Sequence, residues 1–444
     1  MGSVSFGSVG GSGSGIDVLG FVNQVLFAER APVRLLETQK VLLDAQSSAL
    51  SDINTKLSDL KDAINALKDL SGKFNTKITA SSDTSVLTAT ADASATAATH
   101  SITVSALATT SSYYSSQLAD GSTTFATGSF DLQIGTGSPT TITVDATNDT
   151  LDDLATHINS LALGVTASVI TDADGARLSI LSDASGVPGD LTISSNTTGL
   201  TFTTAATGTN ASLTVNNVPI NSTSNTVSGV IAGVTLSLTD TTASAVTVTV
   251  QPDTTQAREA IDDFVDSYNE VITAINAQFA YDAENDSAPP LASDSSLRLV
   301  QTQILTASVY SITGNNGLVN LGSIGVSTQD DGTLLVDGSK LDGYLSTNFT
   351  DVQNLFQSQS PAGFAENFST EIIALTDSID GPLHLALKGV ADSKSSITDQ
   401  IEAFEVRLEF RRQSLIDEFS RVDVLLRSLP VILAQVQSQL RSLS

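Results

Sequence analysis

The residues best equipped for chemistry are few and scattered. Histidine occurs three times, at His100, His157 and His384, with no spacing that suggests a shared metal or a base paired to a nucleophile. Each reads as a structural or exposed side chain. Cysteine is absent, which removes disulfides, thiolate zinc sites and a cysteine nucleophile together. Asp172-Ala173-Asp174-Gly175 has the opening of a calcium loop but lacks the spaced ligands and closing glutamate of an EF-hand, so a hairpin turn explains it better. Asp337-Gly338 and Asp342-Gly343 read the same way. Gly11-Ser12-Gly13-Ser14-Gly15 has no following lysine and no preceding strand, so it is not a phosphate-binding loop. No catalytic residue, cofactor or metal is expected, and the chain reads as a non-enzyme.

The charge balance narrows the partners. Formal net charge is −28, against the clustered lysine and arginine that phosphate contacts or anionic lipid need. Neither nucleic-acid binding nor membrane insertion is expected, since no run of eighteen apolar residues exists. Residues 1–15 are Gly/Ser-rich, with no basic or apolar region of a Sec-type signal, and read as disordered.

With so little chemistry to position, the chain is organised around two long helical stretches. From Leu36 an apolar residue recurs every seven, at Leu43, Leu50, Leu57 and Ile64, and a second row runs Gln39, Gln46, Ile53, Leu60, Leu67. Near the other end, Ile401, Leu408, Leu415, Val422 and Leu429 form one row and Ile397, Phe404, Arg411, Glu418 and Leu425 the other. Such a period places both rows on one helix face and is the coiled-coil signature. An ordinary helical bundle remains the alternative. Antiparallel pairing of first and last helices is expected to set Leu50–Leu67 beside Ile397–Leu408. The polar members Gln39, Gln46, Arg411 and Glu418 would set register and weaken the other half, so Gln46→Leu should stiffen it. Breaks are expected at Ala31-Pro32 and Pro430.

Between these helices the composition changes. From Ile78 to Ala257 the only basic residue is Arg177, and glutamate is absent. Runs such as Ser101–Val104, Thr141–Val144, Ser212–Val215, Thr235–Leu238 and Val246–Val250 alternate hydroxyl and branched apolar residues, as half-buried antiparallel strands do. One helix interrupts them, capped by Thr150, with Leu151, Leu154, Ile158 and Leu161 on one face. Helical patterning returns at Ala257, with stripes through Phe264 and Tyr268 and over Leu297–Tyr310, a hairpin within Leu321–Val336 and short helices over Lys340–Phe356 and Ala362–Ser378. The fold class is α+β and multidomain: an antiparallel coiled-coil or helical leg from both chain ends, plus a β-rich head with an inserted β-plus-helix module. The expected divisions are 1–35 (terminal segment), 36–77 (leg helix), 78–127 and 205–256 (outer β domain), 128–204 (inserted module), 257–390 (helical domain with hairpin) and 391–444 (C-terminal helix).

Several short motifs, in order, resemble one family. They are Gly15-Ile16-Asp17 with Glu29-Arg30-Ala31-Pro32; His100–Val104; the Ile158-Asn159 pair with Val165–Val169 and Gly175–Ile180; Leu213–Asn216; Phe264-Val265-Asp266-Ser267-Tyr268-Asn269; and Leu321–Gly325 with Asp331–Leu334. Together they are similar to the bacterial filament cap family, flagellar hook-associated protein 2. The resemblance implies a structural protein at the filament tip that promotes folding and insertion of exported flagellin and prevents its leakage. It implies a ring-shaped homo-oligomer, by that likeness a pentamer, resting on hook–filament junction proteins. It also implies export by the flagellar type III system without a cleaved signal, and a cytoplasmic chaperone at the C-terminal helix. Phe264, Tyr268 and Asn269 would be a motif of the leg domain. Some members bind mucin, which the acidic, lysine-poor head disfavours. An extracellular adhesin or another junction component is the alternative.

Overall fold

The computed structural model describes residues 17–442 apart from 282, 285, 286 and 361, so the disorder expected over 1–15 lies outside the described residues. Two compact units emerge. One runs to Lys68 and takes in Ile261–Tyr344 and Thr350 onward; the other is Asp69–Ala260 with Leu345–Phe349.

Two helices open the described chain, Val18–Glu29 (α1) and Ala31–Lys68 (α2). The Asp17 carboxylate caps α1, accepting from the Gly20 N–H at 2.9 Å. The break expected at Ala31-Pro32 amounts to one turn residue, Arg30, whose N–H still bonds Leu26 C=O. Pro32 falls in the first turn of α2, where a missing N–H is tolerated.

The β unit follows: Lys77–Ser81 (β1), Leu87–Ala91 (β2), Ala98–Ala106 (β3), Thr110–Ser115 (β4), Gly128–Ile134 (β5), Thr140–Val144 (β6), helix Leu151–Ser160 (α3), Val165–Asp172 (β7), Gly175–Ser185 (β8), Leu191–Ser194 (β9), Phe202–Ala206 (β10), Ala211–Val215 (β11), Val218–Ser222 (β12), Thr226–Ile231 (β13), Val234–Leu238 (β14) and Val246–Pro252 (β15). Every alternating run read as a strand is one. In β15, Val246, Val248 and Val250 are buried and Thr247 is exposed. The unit holds two cores. One lies among sheets β1-β15-β3-β11-β12 and β13-β14-β2, around Leu87, Ile102, Val104, Leu213, Leu236 and Val248. The other lies among β10-β4-β8-β7, β6-β5-β9 and α3, around Phe130, Ile142, Leu154, Ile158, Leu178 and Ile180.

The second core is the inserted module, and its pairing reaches further than the expected 128–204. β4 pairs with both β8 and β10, so the ladder runs from Thr110 to Ala206. The apolar signal fails there because the buried side chains of β4 are Ser111 and Ser115. Ser115 Oγ accepts from the Leu178 N–H at 2.9 Å, a hydrogen bond in place of an apolar contact. In α3, Thr150 caps through the Asp153 N–H at 3.2 Å, and Leu151, Leu154 and Ile158 are buried. Leu161, expected on the same face, is the C-cap residue and is exposed.

The chain continues with Thr254–Ala277 (α4), Ser295–Ser308 (α5), the hairpin Val326–Thr328 (β16) and Leu334–Val336 (β17), Gly338–Thr347 (α6), Phe349–Gln357 (α7), Phe364–Leu375 (α8) and Pro382–Ser442 (α9), most of it in the helical unit. Asp342-Gly343, read as a turn, sits inside α6. The core of this unit is aromatic. Phe264 lies 5.6 Å and 5.3 Å from Phe364 and Phe368 between ring centroids, both edge-on, and Phe356 lies 5.9 Å from Phe364. The hairpin turns at Gly332, where φ is +86° and an added Cβ would lie 2.9 Å from Leu305 Cδ2.

Helix α9 continues through Pro430 and does not end there. Proline deletes one backbone hydrogen bond in mid-helix, and the chain beyond it keeps helical geometry. Antiparallel pairing with the N-terminal helices is direct: Asp44 meets Lys394, Arg30 meets Glu405 and Glu29 meets Arg411. The register corrects one expectation. Ile397–Leu408 lies beside Arg30 and the α2 stretch up to Asp44, not beside Leu50–Leu67. The C-terminal end of α2 packs on α8, where Asn65 meets Ser369 and Lys68 meets Glu366, an element whose place no heptad count could supply.

Candidate assembly surface

The residues able to do chemistry remain apart. His100 Nδ1 lies 3.2 Å from Asn216 Nδ2, His157 lies in the last turn of α3 and His384 in the first turn of α9. Among the described residues, no three His, Cys, Asp or Glu side chains are grouped to hold a metal. Asp172 closes the β7–β8 hairpin, accepting from the Asp174 and Gly175 N–H groups at 2.9 and 3.1 Å. An open depression of ≈ 690 Å³ borders the β16–β17 turn, but its amides serve one another: Gln301 Nε2 donates to Asn276 Oδ1 at 2.7 Å and Asn276 Nδ2 to Asp331 C=O at 2.8 Å.

Many aspartates instead stiffen turns. Asp83, Asp92, Asp120, Asp145 and Asp331 each accept from the hydroxyl and the N–H of the residue two ahead, Ser85, Ser94, Ser122, Thr147 and Thr333. The donated hydroxyl is the first cause holding each carboxyl below its ordinary value, with the backbone N–H assisting.

The packing residues read from the heptads separate into three groups. Leu50, Ile53, Leu57, Leu60, Ile64 and Leu67 are fully buried. Leu36, Leu43, Ile397, Ile401, Phe404 and Leu408 are half-buried between the paired helices, and Leu415 is buried. Val422, Leu425 and Leu429 are exposed. Phe21 and Phe419 meet edge-on at 4.9 Å, and the described part of α1 begins three residues earlier, at Val18. Of the polar heptad positions, Arg411 pairs with Glu29 at 3.4 Å, while Gln39 and Glu418 are exposed. Gln46 faces the loop before α5, its Nε2 donating to Pro290 C=O at 2.9 Å.

Arg30 reaches across the seam to Glu405 at 2.6 Å and along its own side to Glu37 of α2 at 3.2 Å. These pairs are about half exposed, so each contributes ~0–1 kcal/mol and sets register more than stability. Leu35 and Leu42 of α2 and Val406 and Phe410 of α9 are exposed, Phe410 at 75 %. Further along α9, Val424, Leu425, Val431, Ile432, Leu433, Val436 and Leu440 are also exposed. That arc exceeds the single stripe one partner helix covers, so it offers more than one docking face. An exposed apolar surface of this extent is uncommon on a monomer.

Asparagine amides do work that patterning did not flag. Asn269 accepts from the Leu334 N–H at 2.7 Å and donates to its C=O at 2.9 Å, holding the hairpin to α4 beside Tyr268, whose OH donates to Gly332 C=O at 3.1 Å. Burial pushes the Tyr268 phenol above its ordinary value. Asn225 grips Ala108, and Asn159 grips Ala167, in the same two-bond way. Gln357 Nε2 donates to Leu67 C=O at 2.8 Å, closing the buried end of α2. Only the local Ile158-Asn159 and Tyr268-Asn269 pairs were visible beforehand; Gln357 has no signal, because its partner is distant in sequence.

Comparison with known proteins is consistent along the chain. Residues 208–430 match the family model of the flagellar hook-associated protein 2 C-terminus and residues 14–111 that of its N-terminus; residues 129–184 match the flagellin hook IN motif. The flagellar hook-associated protein 2 of Escherichia coli K12 is 29 % identical, with 94 % of this chain and 95 % of that protein covered. The B-type protein of Pseudomonas aeruginosa PAO1 is 28 % identical, over 76 % of this chain and 78 % of its own. Among solved structures, the D1-D2-D3 domains of the flagellar cap protein FliD from Escherichia coli superpose with a TM-score of 0.60 at 27 % identity, covering 77 % of this chain and 99 % of theirs.

Proposed function

The chain belongs to the flagellar hook-associated protein 2 family and is a cap protein of the flagellar filament tip, and we propose that its paired terminal helices are the part that engages the filament. The carrying observation is the set of exposed apolar side chains on those helices, Leu35, Leu42, Val406 and Phe410 among them, in a chain of net charge −28. Helices joined by half-buried apolar residues and solvent-exposed ion pairs form a leg that opens and closes at low energetic cost. That suits a coiled-coil leg which must release and rebind as flagellin enters, with Gln39, Arg411 and Glu418 moderating the seam.

In this reading the two-core β unit is the head, under which exported flagellin folds before insertion, and copies of the chain form a closed ring, a pentamer by family likeness. Hook–filament junction proteins provide its platform. A cytoplasmic chaperone covers the exposed C-terminal part of α9 before export by the flagellar type III route. The role is structural, with no catalytic step.

Deleting the gene tests the reading. Flagellin should appear in the medium as monomer and filaments should be missing; normal filaments on the deletion strain would refute capping and favour an adhesin. Replacing Phe410 and Val406 by serine in the intact gene should reproduce the leakage with a folded, secreted protein.

A further inference from the structure

An exposed sheet edge is a template for strand addition, and several edges here carry a recognised defence. β1 begins with Lys77, β12 contains Pro219, and β10 and β13 are interrupted by register shifts. β7 carries none of these. It is the edge of sheet β10-β4-β8-β7 and pairs with β8 over eight consecutive residues without irregularity. It contains no Pro or Lys, and Ile170 on it is 59 % exposed.

In an antiparallel pair the backbone groups of alternate residues point to opposite sides of the strand. The Ala167 N–H and C=O are taken at 2.7 and 2.8 Å by the Asn159 carboxamide, so they face away from β8. By alternation the groups of Val165, Val169 and Thr171 face the same open edge. Asn159 therefore stands in for one residue of an added strand, in the middle of that edge. Its position is rigid, because Ile158 beside it is fully buried in the module core.

We propose that Asn159 is a strand-edge block that keeps the β7 sheet from extending into a second copy of this chain. Without it, four outward-facing residues in a row would offer a self-complementary edge, on which two β7 strands pair antiparallel about a two-fold axis. With it, the free run shortens to Val169 and Thr171.

The absence of cysteine makes the test direct, because one introduced cysteine reports one contact. The full-length chain carrying Ser168→Cys, or separately Thr166→Cys, is oxidised and dimer is quantified on a denaturing gel, with and without Asn159→Ala. Cross-linked dimer should rise roughly tenfold or more with Asn159→Ala, the factor that about 1.4 kcal/mol of association free energy gives. Adding Val169→Pro, which deletes an outward-facing N–H, should abolish the gain. Equal cross-linking with and without Asn159→Ala overturns the proposal, as does dimer that survives Val169→Pro. If Asn159→Ala does not fold, Asn159→Ser, uncharged and too short to hold both Ala167 groups, takes its place, and no rise in cross-linking overturns the proposal.

Discussion

Leu57→Asp should disable the helical unit while leaving the β unit folded. Leu57 has no exposed surface, and its same-face neighbours Ile53, Leu60 and Ile64 are equally buried. Removing the leucine side chain alone costs ~2–5 kcal/mol. The aspartate adds the cost of burying a carboxyl. That cost is bounded at pH 7, because the group can remain protonated: about three pH units above its ordinary value, at ~1.36 kcal/mol per unit, gives roughly 4 kcal/mol. The sum, ~6–9 kcal/mol, is comparable with the ~5–15 kcal/mol that stabilises a typical domain. Burial raises the folded-state pKa of the new group, so its penalty is full near neutral pH and shrinks as pH falls toward the ordinary carboxylate range. Circular dichroism melts should show early loss of helix followed by a separate, near wild-type loss of strand signal, with Leu57→Ala intermediate. In cells the variant should be secreted and leak flagellin. Wild-type helix melting together with wild-type capping by Leu57→Asp would refute the argument that this half of α2 holds the helical unit together.

Three further outcomes follow from particular contacts. Gln46→Leu should weaken rather than stiffen the helical unit, by about 1 kcal/mol, because Pro290 C=O loses the Gln46 donor; a raised melting temperature would contradict this. The carboxyls of Asp83, Asp92, Asp120, Asp145 and Asp331 are depressed on folding, so the stability they add is present above the ordinary value of 3.8 and is lost as pH falls through their lower folded values. Acid unfolding curves should therefore flatten for Ser85→Ala and Thr147→Ala, and unchanged curves would count against the turn bonds. A fragment of residues 69–260 should melt cooperatively, yet at a lower temperature than the same unit in the full chain, since Phe74 loses its ring contact with Phe349 at 5.7 Å; a non-cooperative melt would show that the cores need the rest of the chain.

Periodicity and composition were enough to find the long helices and five of the strands. A seven-residue repeat marks a helix face, and hydroxyl–branched alternation marks a strand, because burial acts on residues one or two turns or one pleat apart. The Thr150 cap, the Asp172 hairpin and the strand positions of β3, β6, β11, β14 and β15 are all local in this sense. Tertiary structure decided what each face meets. The heptads of α2 and α9 could be aligned in several antiparallel registers, and the choice rests on Asp44–Lys394, Arg30–Glu405 and on α8 packing at the Asn65–Lys68 end of α2. β4 joined the inserted module through Ser111 and Ser115, whose hydrogen bonds leave no apolar trace. The same holds for Asn159, Asn225, Asn269 and Gln357. An amide side chain reads as polar wherever it stands, and only the fold brings it to the backbone group it completes.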